Sequence, residues 1–125
     1  MTTPVTSVSA EATLTEIADL FATQSISGVP VIDGEQHVVG FVSDTDIINA
    51  MLDSRGAQTS AFDLMSAPVV TVDEFDTAED VMRVMRENNI HHVPVVRNRK
   101  LVGIVTPTDV IRYLVTVLPP PSQVS

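Results

Sequence analysis

The chain has 125 residues, of which 44% are hydrophobic and 18% charged, so it is long enough and apolar enough to bury one globular core. Its formal net charge of −9 repels phosphate backbones, which makes a nucleic-acid duplex an unfavourable partner. The lack of cysteine excludes disulfides, thiol nucleophiles and thiolate metal sites, and no apolar run approaches the roughly 20 residues of a membrane span. We therefore expect a cytoplasmic protein that is not inserted in a membrane.

The first predicted elements are a strand from Val5 to Val8 and a helix that opens with the capping box Thr13-x-x-Glu16. Two more strands, Val29 to Ile32 and Val38 to Val42, enclose a polar turn and are predicted to form a hairpin. The first helix carries a hydrophobic stripe with the spacing i, i+3, i+4 and i+7, typical of one buried face. The stripe consists of Leu14, Ile17, Ala18 and Phe21.

A second helix closes this unit, and its hydrophobic residues Ile47, Ile48 and Met51 are predicted to point inward. The residues that follow, 53–61, are small and polar. We predict that the first unit covers residues 1–56 and that residues 57–61 are a linker.

The second half repeats this order of elements. A strand from Val69 to Val72 precedes the capping box Thr77-x-x-Asp80, and the strands Val93 to Val96 and Leu101 to Val105 form the predicted hairpin. The second unit is predicted to cover residues 62–118, and three prolines then stop the last helix and leave a disordered tail at 119–125. The inward stripes of its two helices are Ala78, Val81, Met82 and Met85, then Val110, Ile111, Leu114 and Leu118.

Sliding the sequence by 64 residues shows that the halves are copies. Val29-Pro30-Val31 falls on Val93-Pro94-Val95, and after one residue is lost in the second hairpin turn, Thr45-Asp46 falls on Thr108-Asp109 at an offset of 63. A single deletion in a turn is what two copies of one fold tolerate. The sequence therefore predicts an α+β fold of two pseudo-twofold-related βαββα units, each with a small mixed sheet packed by helices.

Three motifs occur in the same order in both halves. They are Met-x-x-Pro-Val at the start of each unit, Ile-x-x-Val-Pro-Val in its middle, and a late motif that stands here as Gly40-Phe41-Val42-Ser43-Asp44-Thr45-Asp46 and Gly103-Ile104-Val105-Thr106-Pro107-Thr108-Asp109. Together they resemble the cystathionine-β-synthase (CBS) domain, whose tandem pair is called a Bateman module. The second copy has a lead-in, Phe62-Asp63-Leu64, that the first lacks, so we expect either a missing opening turn or a chain cut from something longer.

The resemblance implies a regulatory module rather than an enzyme. Such pairs bind adenosine-containing ligands (AMP, ADP, ATP or S-adenosylmethionine) in clefts between the units, commonly form disc-shaped homodimers, and signal to an attached or associated effector protein. It further implies that Asp109 meets a ribose, that Thr106 and Thr108 donate to phosphate, and that valines of the neighbouring strands enclose the adenine. A purely structural interpretation stays open, because Thr at the N-cap, Pro at N1 and Asp at N3 are what a helix start prefers.

The first unit offers the equivalent residues Ser43, Thr45 and Asp46, but the two sites are not expected to be equal. Asp44 adds an acid beside the first motif, and six of the seven basic residues lie in the second unit, so a phosphate is favoured there. We predict that the cleft with Asp109 binds nucleotide more tightly than the cleft with Asp46.

His91 and His92 precede a strand of the second unit, where some members of the family place a phosphate-binding residue. A protonated imidazole could fill that role, or the two could be ordinary turn residues. Adjacent histidines point in different directions and no third ligand is spaced for them, so we predict no metal site and no cofactor. His37 lies in a predicted hairpin turn and is expected to be exposed.

The competing functional hypotheses are a ligand sensor and a dimerisation or scaffold domain with empty or vestigial clefts. We predict no catalytic residue, because the chain has no activated serine, no glycine-rich phosphate loop and no metal constellation. Met51, Met82 and Met85 are interpreted as core or dimer-face residues.

Overall fold

The computed structural model describes residues 5–117, with side chains described through residue 114. The first unit contains β1 (Val8–Ser9), α1 (Leu14–Gln24), β2 (Gly28–Ile32), β3 (Val38–Ser43) and α2 (Asp44–Leu52). A short helix, α3 (Ala61–Leu64), leads into the second unit. That unit contains β4 (Val72–Asp73), α4 (Ala78–Asn88), β5 (Val93–Arg97), β6 (Lys100–Val105) and α5 (Pro107–Val117).

The two sheets have the same topology and the same register. Each has three strands, in the order β1-β2-β3 and β4-β5-β6, with the first strand parallel to the middle one and the hairpin antiparallel. Val29 pairs with Val42 and Val93 with Val105, which are the partners expected from the offsets of 64 and 63. The register shifts by a bulge at equivalent places, after Val31 and after Val95. The α+β fold of two repeated units is confirmed.

The first strand of each unit is shorter and lies later than predicted. Only Val8 and Ser9 pair with β2, opposite Val31 and Ile32, and β4 pairs with β5 in the same way. The first strands are short because each pairs with only two residues in the second half of the middle strand. Val5 is instead part of the cleft described below.

The predicted capping boxes form at the starts of α1 and α4. The Glu16 amide donates to Thr13 Oγ1 at 3.2 Å while Glu16 Oε1 accepts from the Thr13 amide at 3.0 Å. Thr77 and Asp80 make the same reciprocal pair. These bonds lower the pKa of the Glu16 and Asp80 carboxyls, because the ionised carboxylate is the better acceptor.

The second helix of each unit buries a narrower face than predicted. Ile47 and Val110 are buried, but Ile48, Met51 and Ile111 are 56%, 68% and 58% exposed, so the prediction that they point inward is wrong. Because α2 meets its sheet along one line through Ile47 and Ala50, the neighbouring positions around the helix lie to the side of that contact. Met82 of α4 is also exposed, whereas Leu118 and the predicted tail at 119–125 lie outside the described residues.

The segment between the units is bound to the first unit along its length. The Leu14 amide donates to the Thr59 carbonyl at 2.8 Å, and the Ala61 amide donates to the Ala12 carbonyl at 2.7 Å. Ala61, the last residue of the predicted linker, begins α3 and is fully buried, and Leu64 packs in the same core. Leu64, at the end of the second unit's lead-in, is therefore part of the hydrophobic core of the first unit, whereas Phe62 is 64% exposed.

Candidate functional site

A cleft opens between the two units and brings together most of the second unit's predicted site residues. Its volume is about 330 Å³, at the lower end of the range for small-molecule sites. The first unit contributes the stretch between α1 and β2, and the second contributes the end of β6 and the start of α5. The lining residues are Val5, Thr6, Ser25, Ile26, Ser27, Gly28, His92, Ile104, Thr106, Thr108, Asp109 and Arg112.

The wall from the second unit is a helix start held by a capping interaction. Asp109 Oδ2 accepts from the Thr106 amide at 2.9 Å and from Thr106 Oγ1 at 3.1 Å, and the Asp109 amide donates back to Thr106 Oγ1 at 3.4 Å. Thr108 lies between these two residues on the cleft surface. The helix cap is observed, and it fixes the carboxylate at the wall of the cleft, while the contact with a ribose stays a prediction.

Ser43, Thr45 and Asp46 repeat this arrangement at the start of α2. Asp46 Oδ2 accepts from the Ser43 amide at 2.8 Å and from Ser43 Oγ at 3.1 Å. Asp44 uses its own carboxylate to accept from the Thr45 amide at 2.7 Å. These residues do not line the cleft that contains Asp109, as expected if the two helix starts belong to separate sites.

His92 lies at the junction of the two units and lines the cleft. Its Nε2 is 3.1 Å from Ser27 Oγ, and the two share a hydrogen bond across the junction. Its ring also lies 5.6 Å, centroid to centroid, from that of Phe41 in β3. Burial lowers the pKa of His92 below its usual 6.5, since the charged imidazolium loses hydration, and the nearby Asp44 carboxylate opposes this shift only in part.

His91 lies on a different surface from His92. It is exposed and lines a groove between α4 and α5 with Met85 and Ile90. The predicted pair of histidines is therefore divided, because consecutive residues entering an extended strand point to opposite sides.

Most strand valines of the two hairpins lie away from the cleft. Val29, Val31, Val93 and Val95 are buried in the two cores, and the enclosure of a base by strand valines stays a prediction, with Val5 as a valine on the cleft wall. The aliphatic side chains that line the cleft belong to Val5, Ile26 and Ile104.

Sequence reasoning missed Arg112 as a site residue. It follows Asp109 by three positions on α5, so the two side chains lie on neighbouring parts of one helix face. That spacing was readable in the sequence. The sequence carried no comparable signal for the contribution of Ser25 to Gly28, which comes from the other unit.

A separate group of possible metal ligands lies in the hairpin turn between β2 and β3. Single ligand atoms of Asp33, Glu35 and His37 lie within 4.8 Å of one another. The Asp33 carboxylate already accepts from the amides of Glu35 and His37, at 2.8 and 2.9 Å, and these bonds account for the shape of the turn. The group lies outside the cleft, and the imidazole of His37 is less exposed than predicted, at 26%.

Comparisons with known proteins agree with this architecture. The family model described as "CBS domain" matches residues 1–53 and 61–116. Hypoxic response protein 1 of Mycobacterium tuberculosis is 31% identical over 118 residues, which cover 91% of this chain and 81% of that protein. By contrast, the chain spans only 30–37% of the length of four relatives from Methanocaldococcus jannaschii and Thermofilum pendens.

Two similar solved structures contain adenosine compounds. CBSX2 in complex with AMP is 27% identical, with a TM-score of 0.81 over 92% of this chain and 90% of that one. The CBS domain pair of protein MJ0100, in complex with 5′-methylthioadenosine and S-adenosyl-L-methionine, is 27% identical, with a TM-score of 0.82 over 91% of this chain and 90% of that one. Within residues 5–117, no helix is both long and apolar enough to span a bilayer.

Proposed function

The chain belongs to the CBS domain family, with two domains in tandem, and from that premise we propose that it is a regulatory module that binds an adenosine-containing ligand in the cleft between its units. One observation carries the proposal: His92, Thr106, Thr108 and Asp109 line a single cleft together with residues of the other unit. The AMP and S-adenosylmethionine complexes of similar domain pairs support the same class of ligand.

The cleft offers a partner for each part of such a ligand. Asp109, held by Thr106 at the start of α5, is the acceptor for the ribose hydroxyls. Ile26 and Ile104 supply apolar surface for the adenine, and Thr108, on the cleft wall near the start of α5, offers a hydroxyl donor for phosphate. His91 lines a different groove, so of the histidine pair we keep only His92 as a ligand contact, in the role of an uncharged hydrogen-bonding group.

Regulation follows from where the cleft lies. A ligand there contacts both units, so it is expected to favour the arrangement in which they are closely packed. The module would report this change to an attached or associated effector. The much greater length of several relatives is compatible with an attached one.

A thermal-shift screen with AMP, ADP, ATP, NADH and S-adenosylmethionine identifies the ligand, and calorimetric titration of variants then locates its site. A ligand at about 100 times its dissociation constant stabilises the native state by about 2.7 kcal/mol. Asp109→Ala should weaken binding about tenfold or more, whereas Asp46→Ala should change it by about twofold or less.

These two variants are matched controls for each other. Each removes the acidic half of a capping interaction at equivalent helix starts, so both should lose similar stability. A difference in affinity is then a property of the cleft. A larger loss from the Asp46 change would refute the ranking of the two sites.

The second candidate function, a dimerisation or scaffold domain, is favoured by the apolar surface of α2 and α5. Three residues of α2 (Ile48, Met51 and Leu52) and Ile111 of α5 are all more than half exposed, and exposed apolar side chains that cluster on a helix are typical of an interface. A homodimer is compatible with both functions. The absence of any thermal shift with the five compounds would leave the scaffold as the better account.

A further inference from the structure

The charged groups of the cleft are few and unequal. Among the described lining residues, Asp109 is the acidic side chain and Arg112 the basic one, and burial lowers the pKa of His92 below 6.5, which favours its uncharged form near neutral pH. The Asp109 carboxylate accepts two hydrogen bonds from Thr106 at the start of α5. Among the described lining residues, Arg112 is therefore the cation that can meet a ligand.

Two arginines of the second unit pair with carboxylates, whereas Arg112 pairs with none among the described residues. Arg83 contacts Glu79 at 2.6 Å, and Arg97 Nη2 donates to Glu74 Oε2 at 2.7 Å. Over the described range 5–117, no carboxylate lies within ion-pairing distance of the Arg112 guanidinium. In a chain of net charge −9, an unpaired arginine on the wall of a cleft is an anion-binding group by its chemistry.

We infer that Arg112 makes this cleft select adenosine compounds that carry a phosphate over uncharged adenosine and over the cationic sulfonium of S-adenosylmethionine. The inference rests on the proposed function and decides between the two kinds of ligand that similar domain pairs bind. A guanidinium donates two parallel hydrogen bonds to phosphate oxygens, and the same charge repels a sulfonium placed beside it. Asp109 one turn earlier holds the ribose, so the 5′ substituent is the part of the ligand within reach of Arg112.

The repeat provides a matched pair of substitutions. The position equivalent to Arg112 in the first unit, 63 residues earlier, is Asn49, and the equivalent of Pro107 is Asp44. Arg112→Asn therefore installs a residue that the same helix position already tolerates in this fold. Asn49→Arg adds a cation on α2, outside the cleft that contains Asp109.

The test is calorimetric titration of the full chain and its variants with AMP, adenosine and S-adenosylmethionine. The wild type should bind AMP about ten- to hundredfold more tightly than adenosine, which is the effect of one charge-assisted contact. Arg112→Asn should remove most of that difference and leave the affinity for adenosine unchanged. Arg112→Lys should keep the preference for AMP in part, and Asn49→Arg should leave AMP binding as in the wild type.

Several results would overturn the assignment. If Arg112→Asn weakens the binding of AMP and of adenosine by the same factor, Arg112 contributes to the shape of the cleft and does not recognise the phosphate. If adenosine or S-adenosylmethionine binds the wild type as tightly as AMP does, the selection does not exist although the proposed function stands. If none of the three compounds binds, the proposed function fails and this assignment fails with it.

Discussion

A larger side chain at Gly28 should be poorly tolerated, because Gly28 packs against Phe41 beside the junction of the two units. A Cβ atom at Gly28 would lie 2.6 Å from Phe41 Cε1 and 2.7 Å from Cζ, and 3.5 Å from Cγ of His92. Carbon atoms in contact prefer about 3.5–4.0 Å, so the Phe41 ring would have to move by about 1 Å. The ring is in turn held against His92 of the other unit.

We expect Gly28→Ala to lower the free energy of unfolding by about 1–3 kcal/mol, the usual cost of overpacking. For a domain of this size, each kcal/mol corresponds to about 4 °C in Tm, so the expected decrease is about 4–12 °C by differential scanning calorimetry. Gly34→Ala is the control, because its Cβ would meet nothing within 4 Å and its φ is not positive. That variant should melt at or slightly above the wild-type temperature.

A double-mutant cycle identifies the cause of the loss. Phe41→Leu removes the ring at a cost of about 1 kcal/mol, and in its presence the added methyl of Gly28→Ala should cost about 1 kcal/mol less than it does alone. Simple addition of the two losses would show that the methyl acts somewhere other than against the ring. A Gly28→Ala protein as stable as the wild type would refute the packing of this junction altogether.

Two further predictions concern pH and assembly. Burial lowers the pKa of His92 below 6.5, so the unfolded chain binds a proton at this residue more readily than the folded protein does, and the free energy of unfolding should fall as the pH drops below 6.5. His92→Gln can still form a hydrogen bond with Ser27, and it should make the urea midpoint less sensitive to pH over that range. A variant with the same pH dependence as the wild type would contradict the pKa shift. If the exposed apolar residues of α2 and α5 form a homodimer interface, Ile111→Glu should sediment as a monomer. Its Tm in dilute solution should stay within about 2 °C of the wild-type value. A wild-type protein that sediments as a monomer would contradict the proposed interface.

Local patterns in the sequence correctly predicted the repeat, the order of the strands and longer helices, and the starts of those helices, but they did not predict the short helix α3. Capping boxes depend on residues three positions apart, and strand pairing in a hairpin depends on a short turn, so both are decided within a few residues. Thr13 with Glu16 and Thr77 with Asp80 form the expected bonds for this reason. The capped carboxylates Asp46 and Asp109 were found in the same way.

The incorrect predictions concern which apolar side chains are covered by a neighbouring element. Ile48 and Ile111 are apolar and adjacent to buried positions, yet they are exposed because the line of contact between helix and sheet is narrow. A hydrophobic pattern shows that a face is apolar, and it does not show which neighbour, if any, covers it.

Two copies of one βαββα unit, with a capped carboxylate at the start of each closing helix, follow from the order of amino acids alone, because those features arise from neighbours along the chain. The packing of Leu64 in the first core, the contact of His92 with Ser27 and the cleft that Arg112 shares with Ile26 became known only from the folded chain. These contacts join residues tens of positions apart. They depend on how the two units fit together, and no local preference of the chain encodes that fit.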